Sequence, residues 1–163
     1  MAKKITYGAV LVVVIAIVTL VFFYRSIHGE QWAIRDAAIQ TVTSQTYMNT
    51  VDRVESFIGE KPYMIVFGKD PDGQKAIAWV DGNNARMKYE SSGVSEDDVR
   101  QTVMALNPDN DIKRVLPGIL NDTYVWEVLY DREEQDGSTR YYYGYYRFDN
   151  GAEIDTWKLS KRK

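Results

Sequence analysis

Catalysis and metal binding need particular side chains held in particular geometry, and this sequence offers few candidates. His28 is the single histidine. A Ser-His-Asp arrangement needs its histidine gripped by packed neighbours. His28 stands instead in "RSIHGEQW", a short connection following a long apolar run, and is expected to be a solvated linker residue. There is no cysteine, so thiol chemistry, a disulfide framework and a lipoprotein attachment point are all excluded. Metal ligands would then have to be carboxylates and carbonyls, the set that suits calcium. "DPDGQ" (70–74) and "NPDND" (107–111) look like calcium loops. Neither continues with the bidentate glutamate that an EF-hand places after its glycine, and both are read as turns.

Paired carboxylates are the remaining catalytic option, as in glycosidases. The pairs available are Glu127 with Asp131, and Glu133 with Glu134. Glu127 lies mid-strand in "TYVWEVLYDRE". It shares a face with Val125 and Leu129, opposite the row Tyr124, Trp126, Val128 and Tyr130. Buried alone, such a carboxyl would be a general-acid candidate. The commoner arrangement is an ion pair with a lysine or arginine on the neighbouring strand, and that is the expectation here. Phosphate loops and dinucleotide fingerprints are missing from the sequence. The expectation is a non-enzymatic protein with no catalytic residue, no metal site and no cofactor.

What remains is "RYYYGYYRFDNGAEI" (140–154). Strand alternation splits it into two rows. Tyr142, Gly144, Tyr146 and Phe148 point one way, and Tyr141, Tyr143, Tyr145 and Arg147 the other. Phe148 has no polar group, so its row is assigned to the helix-covered face, with Gly144 leaving room for a helix side chain. The row Tyr141, Tyr143, Tyr145 and Arg147 is the candidate partner-binding surface, made of residue types enriched at binding hot spots. The competing reading is plain packing, against cross-strand rings such as Tyr124 and Trp126 or against a sister module. A protein partner suits this face better than a glycan, although a glycan is possible.

The elements that must position this strand begin with "ITYGAVLVVVIAIVTLVFFY", from Ile5 to Tyr24, which carries no charge. As a helix it covers roughly 30 Å, the thickness of a bilayer core, with Tyr7 and Tyr24 near the two interfaces. It has no polar stripe, no small-residue cleavage pattern after it, and no glutamate where a type IV pilin leader needs one. A cytoplasmic tail (1–4) and an uncleaved transmembrane anchor (5–24) are therefore expected. Lys3 and Lys4 hold the short side in the cytoplasm, so residues 25–163 are expected outside the cell. All 23 acidic residues lie there and outnumber the basic ones, a poor footprint for nucleic acid or anionic polymers.

Beyond the anchor the pattern is helix then strands, twice. A helix over 30–45 has Ile34, Ala37, Ala38 and Val42 on one face, with strands following at 48–58, 62–70, 75–81 and 85–91. A second helix opens at Ser95, with Asp98 at the third position of a capping box. Val99, Val103 and Leu106 form its stripe, and Pro108 ends it. Strands follow at 111–119, 123–133, 140–149 and 152–159, separated by "LNDT", "EQDG" and "FDNG" turns. The halves align at a shift of about 61 residues, "VDRV" over "IKRV", Tyr63 over Tyr124 and Asp70 over Asp131. The fold class predicted is α+β, an anchor helix followed by two tandem helix-plus-antiparallel-sheet modules, 25–91 and 92–163. Each is marginal alone, so the two should pack together.

The basic tail, the anchor helix, "YVWEVLY" and "YYRFDNGAEI" together resemble the YpmB/TseB-like family of Gram-positive bacteria. The resemblance implies two PepSY-like modules of cystatin-like shape. It also implies a membrane-anchored regulator of cell-wall (peptidoglycan) elongation that contacts a class B penicillin-binding protein. Other functions compatible with the residues are a peptidase inhibitor or modulator wedging "LNDT" or "EQDG" into a cleft, a glycan-binding wall sensor, and a weak wall hydrolase.

Overall fold

The computed structural model describes the backbone of residues 2–159 and the side chains of residues 13–23 and 31–159. The side chains of His28, Lys3, Lys4 and Arg25, and of both ends of the expected anchor, lie outside the described residues. The chain divides into two compact units, Met1–Ala37 and Ala38–Lys163.

The first unit is helical, part of an unbroken α1 (Ala2–Gln45). The described residues 13–23 are exposed throughout. Among the described residues no helix is long and apolar enough to cross a membrane. Ile34 and Ala37, expected on the buried face of the first globular helix, are exposed instead. Among the described residues of α1, Ala38 and Val42 are buried, where the end of the helix packs on the first sheet.

In the second unit two four-stranded antiparallel sheets follow one another, consistent with two tandem modules. The first is β1 (Thr50–Ile58), β2 (Pro62–Lys69), β3 (Lys75–Asp81) and β4 (Asn84–Tyr89), adjacent in space as in sequence. The "DPDGQ" turn joins β2 to β3. The Asp70 carboxylate accepts from the Asp72 and Gln74 amides at 3.0 and 2.8 Å, and Gly73 takes the left-handed backbone (φ 80°) that a side chain would disfavour. Among the described residues no cluster of three or more His, Cys, Asp or Glu is arranged to hold a metal.

A short 3-10 turn (Glu90–Ser92) leads to α2 (Glu96–Leu106). Its start is a full capping box, in which Ser95 and Asp98 satisfy each other's backbone amides. Val99 and Val103 are buried, whereas Leu106, expected in the same stripe, is exposed. Asn110 donates to the Val103 carbonyl at 2.9 Å and helps close the helix. The second sheet is β5 (Asp111–Leu120), β6 (Thr123–Glu133), β7 (Thr139–Arg147) and β8 (Glu153–Lys158), again in sequence order.

The repeat is visible in the strand pairing. The first strand of each sheet carries a bulge at the same place, between Val51 and Arg53 and between Ile112 and Arg114. The alignment then slips by one residue in the second strands. Val54 pairs with Val66, but its counterpart Val115 pairs with Val128. Tyr63 therefore corresponds to Val125, and Asp70 and Asp131 are not equivalent, contrary to expectation. The cause is hairpin length. Three residues separate the pair Ile58–Pro62, but four separate its counterpart Ile119–Tyr124, because β5 and β6 pair once more at Leu120–Thr123 around a tight turn of Asn121 and Asp122, both at positive φ.

Two apolar cores result. The end of α1 packs with Val54, Val66, Ala76, Ala78 and Val80 on one face of the first sheet. The opposite face, through Phe57, Ile65, Phe67, Ile77 and Trp79, shares a core with α2 and the second sheet. Trp79 meets Tyr124 and Phe148 edge-on at 4.7 and 5.7 Å between centroids. The Phe57 ring lies over Gly118, where any Cβ would come within 2.3 Å of it.

Candidate functional site

β7 is central in the second sheet, hydrogen-bonded to β6 and β8, and its two rows have different fates. Tyr142, Tyr146 and Phe148 are buried in the shared core. Phe148 stacks on Trp126 at 5.8 Å, and the Trp126 indole donates to the Val94 carbonyl at 3.1 Å. Tyr142 stacks on Tyr130 at 5.3 Å. Gly144, expected to make room for a helix side chain, instead makes room for a neighbour on its own strand. A Cβ there would meet the Tyr146 ring at 2.9 Å.

The other row faces away from that core. Tyr141 is 46% exposed, Tyr143 is half-buried and Arg147 is exposed. Tyr145 departs from the expectation of an outward-facing tyrosine, being only 6% exposed. Its hydroxyl donates to Glu127 Oε2 at 3.1 Å, and its ring meets that of Trp157 on β8 at 5.1 Å and 62°. The other Glu127 oxygen accepts from Arg114 Nη2 at 2.8 Å. Glu127 is thus the cross-strand ion pair expected of it, with a tyrosine added. Burial, then the Glu127 charge, pushes the Tyr145 hydroxyl well above the ordinary tyrosine range.

A second polar knot ties β8 to the sheet. The Tyr142 hydroxyl donates to Glu134 Oε1, Lys158 Nζ lies 3.1 Å from the other oxygen, and the Arg132 guanidinium sits 4.5 Å over the Tyr142 ring. The Tyr142 hydrogen bond, then Lys158, holds the Glu134 carboxyl below its ordinary value. Glu134 in turn raises the Lys158 ammonium.

Beside the outer row lies a groove of about 510 Å³. The β1–β2 hairpin supplies Ile58 and Glu60, the β5–β6 turn Asn121, and the far wall Tyr145, Asp155 and Trp157. Trp157 is 49% exposed, and its indole N–H donates to Asp155 Oδ2 at 2.5 Å. Arg114, Trp157, Ile58 and Asn121 were missed in the sequence. Only Trp157 left a signal there, as an aromatic in a short alternating strand. A second groove, at the start of α2, is crossed by ion pairs from Glu96 to Arg53 and Arg100 at 3.2 and 2.7 Å.

The fold and this surface define a tandem α+β protein of two four-stranded antiparallel sheets with an aromatic outer face. The family model described as "Cell wall elongation regulator TseB-like domain" matches residues 37–81, from the end of α1 to the end of β3. The chain is 28% identical over 116 residues to "Probable cell wall elongation regulator TseB" of Bacillus subtilis, covering 69% of this chain and 72% of that protein. The solved structure of the YpmB protein from Bacillus subtilis superposes with a TM-score of 0.67 at 25% identity, covering 76% of this chain and 96% of that one. All three comparisons support the YpmB/TseB-like family as what the chain is similar to.

Proposed function

We propose that this protein is a non-enzymatic, membrane-anchored module that regulates cell-wall elongation from outside the membrane by contacting a class B penicillin-binding protein. The observation that carries this reading is the agreement of the three comparisons on one family, whose Bacillus subtilis relative is named a probable cell wall elongation regulator. Residues 13–23 support the anchor, since a run of exposed apolar side chains is stable only against a non-aqueous neighbour. Each sheet with its helix is read as a PepSY-like unit of cystatin-like shape. The partner-facing residues are Tyr141, Tyr143 and Arg147 on the outer face of β7.

Affinity capture from detergent-solubilised membranes tests the partner. A class B transpeptidase should co-purify with the full chain. Truncating Tyr141 and Arg147 together should weaken capture about thirtyfold, the scale of a 2 kcal/mol hot spot. Recovery of a peptidase instead, or capture indifferent to both residues, would refute the reading. Protease added to wall-stripped intact cells should digest the chain beyond about Arg25. Protection of that region while a known outer protein is digested refutes the orientation.

A further inference from the structure

Resting on the extracytoplasmic reading above, we propose that the groove beside β8 is a binding site for a neutral N-acetylhexosamine glycan, with the Trp157 indole as its platform. The ring is fixed from two sides. Its N–H is held by Asp155 at 2.5 Å and its edge abuts Tyr145 at 5.1 Å, yet half of it remains open. A ring locked in place and presented to solvent offers an apolar face to sugar C–H groups without losing side-chain entropy on binding. Ile58, 79% exposed, and Ile154 extend that apolar floor.

The rim supplies hydrogen-bonding groups for hydroxyls and acetamido groups. Among the described residues, the side chains of Glu60 and Asn121 have no protein partner and both line the groove. Asn121 is presented by a turn in which two non-glycine residues adopt left-handed backbone, φ 47° and 57°. The volume lies within the range of small-molecule sites.

Charge selects the ligand class. The lining holds two carboxylates, Glu60 and Asp155, and no basic side chain. An anionic phosphate-bearing polymer is repelled there, whereas a neutral polyol meets acceptors and a ring. An extended peptide would add to the open side of β8. The irregularity opposite Tyr145 and Tyr146 breaks the ladder there, and bulges of this kind disfavour strand addition.

The test titrates the full chain in detergent micelles with tri-N-acetylchitotriose, followed by calorimetry and ligand-observed NMR. Saturable binding is expected. Trp157→Ala should weaken it at least about tenfold, equivalent to ~1.4 kcal/mol. Trp157→Phe should keep part of the affinity, and Asn121→Ala should cause a smaller loss. Thermal melts establish that each variant is folded. Asn121→Ala serves as the second probe should Trp157→Ala unfold. No saturable binding, or affinity unchanged in every folded variant, overturns the proposal. So does Trp157-dependent binding of a lysine-rich peptide or of polyglycerol phosphate in place of the sugar. Sugar binding by the purified chain is independent of transpeptidase capture, so the two readings fail separately.

Discussion

At Tyr146 the aromatic ring is fully buried. Tyr146→Ser is therefore expected to lower stability by roughly 3 kcal/mol or more, measured by urea unfolding, as large-to-small core substitutions do. Tyr143→Ser, on the opposite row and half-buried, should leave the unfolding midpoint nearly in place. If the two effects are exchanged, the faces are assigned the wrong way round. Which row is buried was legible because strand alternation is strict and Phe148 has no polar group to expose. The burial of Tyr145 was not legible. It depends on Trp157 from the next strand and on a carboxylate shared with Arg114, partners that alternation along one strand does not reveal. Glu127 lies between these cases. Its need for a partner was evident, but the identity of Arg114 awaited the register of β5.

At the scale of an element, a polar knot helps tie β8 to the sheet. Glu134 is held below its ordinary value of 4.5 by Tyr142 and Lys158. A depressed carboxyl contributes stability that is fully present above the unfolded value and is lost as pH falls through the folded one. The stability difference between the native chain and Glu134→Gln should therefore be largest near neutral pH and close as pH drops below 4.5. A gap that persists unchanged at low pH contradicts this role. The contact of β1 with β5 has its own test. Gly118→Ala places a methyl group against the buried Phe57 ring and should cost about 1–3 kcal/mol, as overpacking does. Strand positions were readable from turn chemistry such as "DPDG" and "EQDG". The one-residue slip between the halves was not, because it arises from the second hairpin holding one residue more between Ile119 and Tyr124 than the first holds between Ile58 and Pro62.

For the molecule as a whole, the shared core matters more than the count of modules. Residues of both sheets and α2 fill one cluster, so thermal unfolding of the full chain should show a single transition in the second unit. Near-ultraviolet and far-ultraviolet circular dichroism should then coincide. Two separated transitions would mean that each sheet is stable alone. That two helix-and-sheet segments must pack together followed from their small size. Which faces meet did not, since both faces of the first sheet are apolar.

The match between strand order and chain order has a consequence for how the molecule is made. Within each sheet every strand pairs with its immediate successor, so each sheet can zip from one hairpin to the next, closing only short loops. Local pairing of this kind lowers contact order and speeds folding. The long-range step left over is the meeting of Trp79 with Tyr124 and Phe148. Chain growth from the amino end completes β1 to β4 before β6 exists, so the first sheet waits with its Trp79 face uncovered. The interval between completion of β4 and arrival of Phe148 is when the nascent chain is most open to aggregation or to a chaperone.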